Sequence, residues 1–141
     1  MIFVTGATGF LGSHLLHELV LQGRTVRALY RNRDKLATVR KIFSYYPENT
    51  QFLLDGIDWV QGDILDYCTL VGFMKSVKQV YHCAGVVSFN QKDKRRLIEI
   101  NAFGTANVVN ACLEQGGIRL CHVSSIAALG DSQDGGPVDE N

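Results

Sequence analysis

The sequence carries no excess of either charge: 14 Lys and Arg face 14 Asp and Glu over 141 residues. A formal charge of zero offers no global field for nucleic acid or an anionic membrane surface, and neither is expected as a partner. No CxxC pair occurs among Cys68, Cys83, Cys112 and Cys121, and no His completes a zinc pattern, so no metal site is expected. Cys83 and Cys121 fall within apolar runs, where a thiol behaves as a small hydrophobe. The cysteines are therefore read as reduced and buried, as in a cytoplasmic protein. No apolar run approaches the roughly 18 residues of a membrane span. Apolar structure begins at Ile2 with no basic stretch ahead of it, so neither a signal peptide nor a span is expected. Internal repeats and low-complexity segments are absent too.

What is present is ordinary globular usage, 46% apolar and 20% charged, in a length that suits one domain with one core. Strand and helix signals alternate. Ile2 to Val4 is a short apolar run that ends at Thr5 and Gly6. From Phe10 to Leu21, Leu11, Leu15, Leu16, Leu19 and Val20 mark one face of a helix, with Gly23 where a C-cap belongs. Thr25 to Tyr30 is β-rich, and Asp34 to Phe43 reads as a second helix. Asn49 to Gly56 reads as a loop by its turn residues, and Ile57 to Val60 as a third strand. Asp66 to Val77 is helical with Asp66 as N-cap. Gln79 to Ala84 is a continuous strand, Lys94 to Gln115 a long helix stopped by Gly116-Gly117, and Ile118 to Ser124 a fifth strand. From Leu129 onward the composition turns to Gly, Asp, Ser, Pro and Asn and reads as a loop. Strands alternating with helices imply parallel βαβ units, and five strands fit the doubly wound order 3-2-1-4-5.

The first strand-to-helix junction is Thr5-Gly6-Ala7-Thr8-Gly9-Phe10-Leu11-Gly12. A phosphate-binding turn needs a sharp exit from the strand at Gly6, close backbone approach at Gly9 and tight helix packing at Gly12. The N–H groups of Phe10 and Leu11 then face the phosphate charge at the positive end of the helix dipole. A glycine triplet alone is a weak signal and also suits a purely structural turn. Here it follows a strand and opens an amphipathic helix, the context that dinucleotide binding requires.

The GxxGxxG spacing resembles the short-chain dehydrogenase/reductases, and Thr5 to Gly12 resembles their extended branch, the NAD-dependent epimerase/dehydratase group. The resemblance runs the length of the chain. Gly62-Asp63-Ile64 resembles the family's adenine contact, which implies that Asp63 accepts from the adenine amino group with Ile64 beside it. Tyr81-His82-Cys83-Ala84-Gly85 resembles the segment that lies along the cofactor's ribose and pyrophosphate, implying contacts from Cys83, Ala84 and Gly85. Asn101-Ala102-Phe103-Gly104-Thr105 with Asn107 resembles the NxxGTxN helix. His122-Val123-Ser124-Ser125, with Gly130 beyond, resembles the strand-five motif, which implies a catalytic role for Ser125 and a cofactor contact for Ser124. The fold so implied is α/β: a Rossmann-type doubly wound parallel sheet, of which strands 1–5 are present.

Between Arg24 and Lys41 stand seven basic residues and one acid, Asp34. On composition alone this is a solvated face. In the family an Asp or Glu near the end of strand two binds the ribose 2′-OH of NAD, yet Arg27 to Arg33 contains no acid. An Arg at position 31 can form a charge-assisted fork to a 2′-phosphate and stack on adenine. NADP(H) is therefore the favoured cofactor, with Arg31 as the primary contact and Arg33 and Lys35 assisting. NAD(H) stays open as the alternative, and Arg27 is expected to point the other way along its strand.

The resemblance also implies a Tyr, with a Lys four residues later, as the proton relay. None of Tyr30, Tyr45, Tyr46, Tyr67 and Tyr81 has a Lys at that spacing. Pro137-Val138-Asp139-Glu140 resembles the loop preceding that Tyr. Residues 1–141 are accordingly read as the N-terminal part of the dinucleotide-binding domain, lacking the catalytic pair and the C-terminal substrate domain. Without the resemblance, Ser124-Ser125 at a strand end would equally be a cap or turn. His14, His17, His82 and His122 do not cluster by spacing, and His82 and His122 are read as structurally packed. Val86-Val87-Ser88-Phe89 with Lys92-Asp93 resembles dihydroflavonol 4-reductases and 3β-hydroxysteroid dehydrogenases, which interconvert secondary alcohols and ketones on small organic substrates. Nucleotide-sugar epimerases and dehydratases, and non-catalytic dinucleotide-binding redox sensors, are the competing readings. The apolar fifth strand would form an unprotected edge, which leaves a homodimer open.

Overall fold

The computed structural model describes residues 1–48, 50–128, 130 and 136. The loop read from Leu129 onward and the segment Pro137 to Glu140 thus lie almost wholly outside the described residues. The sheet is made of β1 (Ile2–Thr5), β2 (Val26–Tyr30), β3 (Ile57–Gln61), β4 (Gln79–His82) and β5 (Arg119–His122). All pairings are parallel and the order is β3-β2-β1-β4-β5, the doubly wound order expected. Helices α1 (Phe10–Leu21), α2 (Leu36–Phe43), α3 (Thr50–Asp55), α4 (Tyr67–Phe73), α5 (Lys94–Ile98) and α6 (Thr105–Gln115) cover it.

Period-two alternation in β1 divides the core into two layers. Ile2 and Val4 point to one side, onto Leu16 and Leu19 of α1, Val39 and Phe43 of α2, and Leu53 and Leu54 of α3. Phe3 points to the other, onto Leu70 of α4, Val108 and Ala111 of α6, and Val80 of β4. Both faces of β1 are therefore buried, which is why it reads as a continuous apolar run rather than an alternating one.

Three expected boundaries change, each for a local reason. The segment read as a loop from Asn49 to Gly56 contains α3, because burying Leu53 and Leu54 in the first layer outweighs the turn residues around them. The helix from Asp66 ends at Phe73, not at Val77: Ser76 adopts φ 64°, a left-handed conformation that cannot continue it. Asp66 does cap this helix, accepting from the Thr69 hydroxyl at 2.6 Å and the Thr69 amide at 3.1 Å, and these bonds, the hydroxyl's first, lower the pKa of its carboxyl. The long helix is interrupted by a π-helical segment at Glu99–Gly104 between α5 and α6. Such insertions are frequent at functional sites.

The cysteine expectation needs correcting. Cys112 is buried and Cys83 half-buried, but Cys68 and Cys121 are exposed. Cys121 sits on β5, which pairs only with β4 and is the sheet's outer strand among the described residues. His122 on the same strand is exposed as well, whereas His82 is fully buried. No helix among the described residues is long and apolar enough to cross a membrane.

Candidate dinucleotide site

The carboxyl ends of β1 to β4 open into a cleft of about 570 Å³. It lies where the strand order reverses between β1 and β4, the switch point at which ligands bind in open α/β sheets. Its floor is Gly6, Thr8 and Gly9 after β1, one wall is Arg31, Asn32, Lys35 and Thr38 after β2, and the other is Cys83 to Val86 after β4. Gly62, Asp63 and Ile64 after β3 close one end, and Arg96 and Ile100 cover it.

The floor is shaped by what glycine lacks. Gly6 has φ 66°, and a Cβ there would lie 2.5 Å from the Ala84 nitrogen and from the Cys83 carbonyl carbon. A Cβ on Gly12 would overlap the Gly6 carbonyl, so the first turn of α1 sits directly on the turn. Gly9 donates to the Gly6 carbonyl at 2.9 Å and serves as N-cap of α1 without a side-chain bond. Ser13 Oγ donates within reach of the Ala7 and Gly9 carbonyls, at 3.1 and 2.7 Å. The first turn of α1 holds no acidic residue, which leaves the positive end of its dipole for an anion. These features fit a pyrophosphate: close backbone approach, uncapped N–H groups and no competing carboxylate. Phe10 and Leu11, named for those N–H groups, carry exposed side chains and do not line the cleft. Gly12 does not line it either; its place is the helix packing.

The rest of the rim is held by the interrupted helix. Asn101 clamps Val86 by two bonds, accepting from its amide and donating to its carbonyl, each at 2.8 Å. Asn107 Nδ2 donates to the Ile64 and Leu65 carbonyls at 3.0 and 3.2 Å. Gly104 lies against Ile64 so closely that a Cβ would meet its Cδ1 at 2.5 Å. The NxxGTxN residues thus fix the β3 and β4 rims, a role that spacing alone does not disclose.

Charge in the cleft is mainly positive, with Arg31, Lys35 and Arg96 against Asp63. Arg31 Nη1 lies 3.5 Å from Asp63 Oδ2, with both side chains partly solvated, so this pair is weak and readily exchanged for a ligand. Asp63 Oδ1 also accepts from the Leu65 amide at 3.0 Å. Arg33 lies in the short 3₁₀ turn Arg33–Lys35, exposed and outside the lining, while Lys35 of the same turn lines the cleft. Arg27 is engaged elsewhere: Nε donates to Asp58 Oδ2 at 2.6 Å and Nη1 to the Phe73 carbonyl at 2.8 Å. Burial raises the Cys83 thiol pKa, with Cys121 adding to the shift, so at neutral pH this side chain presents a neutral thiol to the cleft.

Ser124 and Ser125 follow β5 and are exposed; neither lines the cleft. The Ser125 carbonyl accepts from Ala128 at 2.9 Å, opening the 3₁₀ turn Ile126–Ala128. Sequence reasoning overlooked Arg96, because no pattern in the helix tells which of its turns covers the cleft. It also overlooked the stacking of His82 on His122, with ring centroids 5.0 Å apart, a contact created by their register on β4 and β5. No group of three or more His, Cys, Asp and Glu among the described residues is arranged to hold a metal.

The family model described as the NAD dependent epimerase/dehydratase family matches residues 2–141. The chain belongs to that family. The relatives include a Synechocystis sp. protein named "Putative dihydroflavonol 4-reductase", 39% identical over 140 residues and covering 99% of this chain and 36% of that protein. Another is the 3 beta-hydroxysteroid dehydrogenase type 7 of Homo sapiens, 28% identical over 138 residues, covering 95% of this chain and 35% of that protein. Both names match the resemblance read from Val86 to Asp93. Among solved structures, MoeE5 in complex with UDP-glucose and NAD superposes with a TM-score of 0.71 at 26% identity, over 94% of this chain and 38% of that one. The chain spans about a third of the length of the relatives it matches.

Proposed function

We propose that this chain is the dinucleotide-binding part of an NADP(H)-preferring dehydrogenase/reductase that interconverts a secondary alcohol and a ketone on a small organic substrate. The observation that carries the cofactor preference is the wall after β2, where Arg31 and Lys35 line the cleft and the acid of that stretch, Asp34, does not. A 2′-phosphate would draw Arg31 from its weak contact with Asp63 into a charge-assisted bond. Asp63 would then be released to the adenine amino group.

A nicotinamide dinucleotide supplies the hydride donor or acceptor when bound. The turn at Gly6 and Gly9 would receive its pyrophosphate, and Cys83, Ala84 and Gly85 would border the ribose beyond. Ser125, on the loop after β5, would hydrogen-bond the substrate oxygen and orient it. The proton relay, a Tyr and Lys, would lie in the part of the relatives' length that this chain does not span. The reductase and dehydrogenase names among the relatives support this reading over a nucleotide-sugar enzyme. The NAD-bound MoeE5 structure favours the second reading, an NAD-dependent enzyme acting on a nucleotide sugar.

Titration of the protein with NADPH and NADH separates them. Tighter NADPH binding is expected, by about tenfold to a hundredfold. Arg31→Asp should reverse the order. Equal affinities that the substitution leaves unchanged would remove Arg31 from the 2′-phosphate site. In the full-length enzyme, Ser125→Ala should cut kcat by about a hundredfold or more with little change in dinucleotide affinity. A silent Ser125→Ala beside a crippled Ser124→Ala would move the assignment by one residue.

A further inference from the structure

His82 closes β4 one residue before the cleft-lining Cys83, and its ring is fully buried. Its neighbour in register on β1 is Thr5, the residue before Gly6 and itself fully buried. Thr5 Oγ1 lies 2.6 Å from His82 Nδ1, and the Ala84 amide donates to the same oxygen over 3.4 Å. On the opposite side of the ring, Nε2 lies 2.9 Å from Thr105 Oγ1, at the start of α6. The imidazole is thus a rigid strut with a hydroxyl at each end, and it spans from the β1 turn to the helix that holds the rims of β3 and β4.

The hydrogen bonds give the strut a direction. A hydroxyl has one proton to donate. Thr5 Oγ1 accepts from the Ala84 N–H, and among the described residues His82 is the acceptor left for its own proton. Nδ1 therefore accepts, the ring proton sits on Nε2, and Nε2–H donates to Thr105 Oγ1. The opposite tautomer would leave the buried Thr5 proton without an acceptor, a costly arrangement.

We propose that His82 is a positioning residue for the dinucleotide turn: held as the Nε2–H tautomer between Thr5 and Thr105, it sets the spacing between the ends of β1 and β4 across the switch point. That spacing has little tolerance, because the Gly6 backbone already lies where a single added carbon would collide with Cys83 and Ala84. The two bonds have different tasks. The Nδ1 bond acts on the turn through Thr5; the Nε2 bond anchors the ring on α6. The proposal rests on the dinucleotide-binding reading of the cleft.

Two amide substitutions separate the bonds. In His82→Asn the shorter amide stands near the position of Nδ1 and keeps the Thr5 link. In His82→Gln the longer amide reaches toward Thr105 and gives up Thr5. Both remove ring volume, so both should lower the melting temperature. NADPH affinity should fall roughly tenfold in His82→Gln, the loss of one positioning bond, and stay close to wild type in His82→Asn. Thr5→Val should match His82→Gln, and Thr5→Ser should restore binding. Nitrogen-15 spectra of the histidine ring should show Nε2 protonated and Nδ1 accepting. Equal losses in the two His82 variants, or an Nδ1–H ring, would overturn the proposal. The amide shifts of Gly6 and Ala84 should move in His82→Gln and not in His82→Asn even without dinucleotide. They therefore judge the strut separately from the cleft: a wild-type protein that binds neither NADPH nor NADH overturns the dinucleotide reading alone.

Discussion

The two ends of the cleft are built from different materials. At the β1–β4 end the ligand-facing surface is backbone, set by glycines whose added carbons would strike Cys83, Ala84 or Gly6 itself, with the buried Thr5–His82–Thr105 strut behind it. At the β2 end it is made of side chains, Arg31 and Lys35, which stand in solvent, Arg31 in one weak contact with Asp63. A surface made of backbone cannot be altered without moving the strands, so it suits the pyrophosphate common to every dinucleotide. A surface made of solvated side chains can change without touching the core, so it suits the choice between a 2′-hydroxyl and a 2′-phosphate. Substitutions in the glycine turn of the first end should therefore damage fold and binding together, and substitutions at the second should change preference alone.

The largest effect is expected at Gly12. An added methyl overlaps the Gly6 carbonyl, and neither backbone can yield without lifting α1 off the sheet. Gly12→Ala should lower stability by about 3 kcal/mol and abolish NADPH and NADH binding alike. Gly72→Ala is the control, since a Cβ there meets nothing within 4 Å on the exposed face of α4. It should be neutral or stabilising by up to about 1 kcal/mol. Denaturant unfolding of both variants tests the contrast, and similar losses would show that the turn is not the constrained element.

The next effect separates the ends by pH. Burial, and secondarily the neighbouring His122 stacked on the ring, hold the His82 pKa down to about 4 from an ordinary value of 6.5. Between these values the unfolded chain binds a proton that the folded chain does not. Stability therefore rises with pH across this window, is complete above about 6.5, and is lost as the pH falls toward about 4. The contribution is about 3 kcal/mol at most. Unfolding midpoints measured from pH 4.5 to 7 should show this slope in the wild type and a shallower one in His82→Asn. Parallel slopes would mean that the ring is not the group responsible.

How far each end was legible in the sequence follows from the same difference. Gly6, Gly9 and Gly12 announce themselves because few residue types can occupy those backbone positions, and the strand order follows from the alternation of apolar runs and helices. Asp63, Ile64 and Cys83 to Gly85 were read from the family resemblance, and they line the cleft because they stand directly after strands whose ends converge on the switch point. Arg96 escaped because its place depends on how a helix is rotated over the cleft. The His82 strut escaped because its partners Thr5 and Thr105 lie 77 and 23 residues away, and only the parallel pairing of β1 with β4 and the docking of α6 bring them together. The loop assignment before β3 failed for the converse reason: turn-forming residues were visible locally, and the burial of Leu53 and Leu54 was not.

At the second end, Arg31→Asp should leave stability within about 0.5 kcal/mol of wild type while reversing the dinucleotide preference, because Arg31 is solvated and its ion pair weak. A large loss of stability would mean that the side-chain wall is structural after all.

The smallest effect is expected at Arg27, and it decides whether the basic stretch acts as a cluster or through particular residues. Arg27 and Arg31 lie four residues apart at the two ends of β2's side-chain pattern and carry the same charge. A diffuse field would treat them alike, and at about 10 Å of screening length in 0.1 M salt much of any field from either would be lost. The geometry treats them differently. Arg27 is committed to Asp58 on β3 and to the Phe73 carbonyl at the end of α4, whereas Arg31 faces the cleft. Arg27→Gln should therefore cost about 1 kcal/mol or less, mainly through the lost carbonyl bond, since the Asp58 pair is partly exposed. It should leave the ratio of NADPH to NADH affinity unchanged. Arg31→Gln, with the same loss of charge, should bring that ratio toward one. Equal shifts from the two substitutions would replace the fork at Arg31 by a general electrostatic attraction, and the contrast between a rigid and a replaceable end of the cleft would then hold for the glycine turn only.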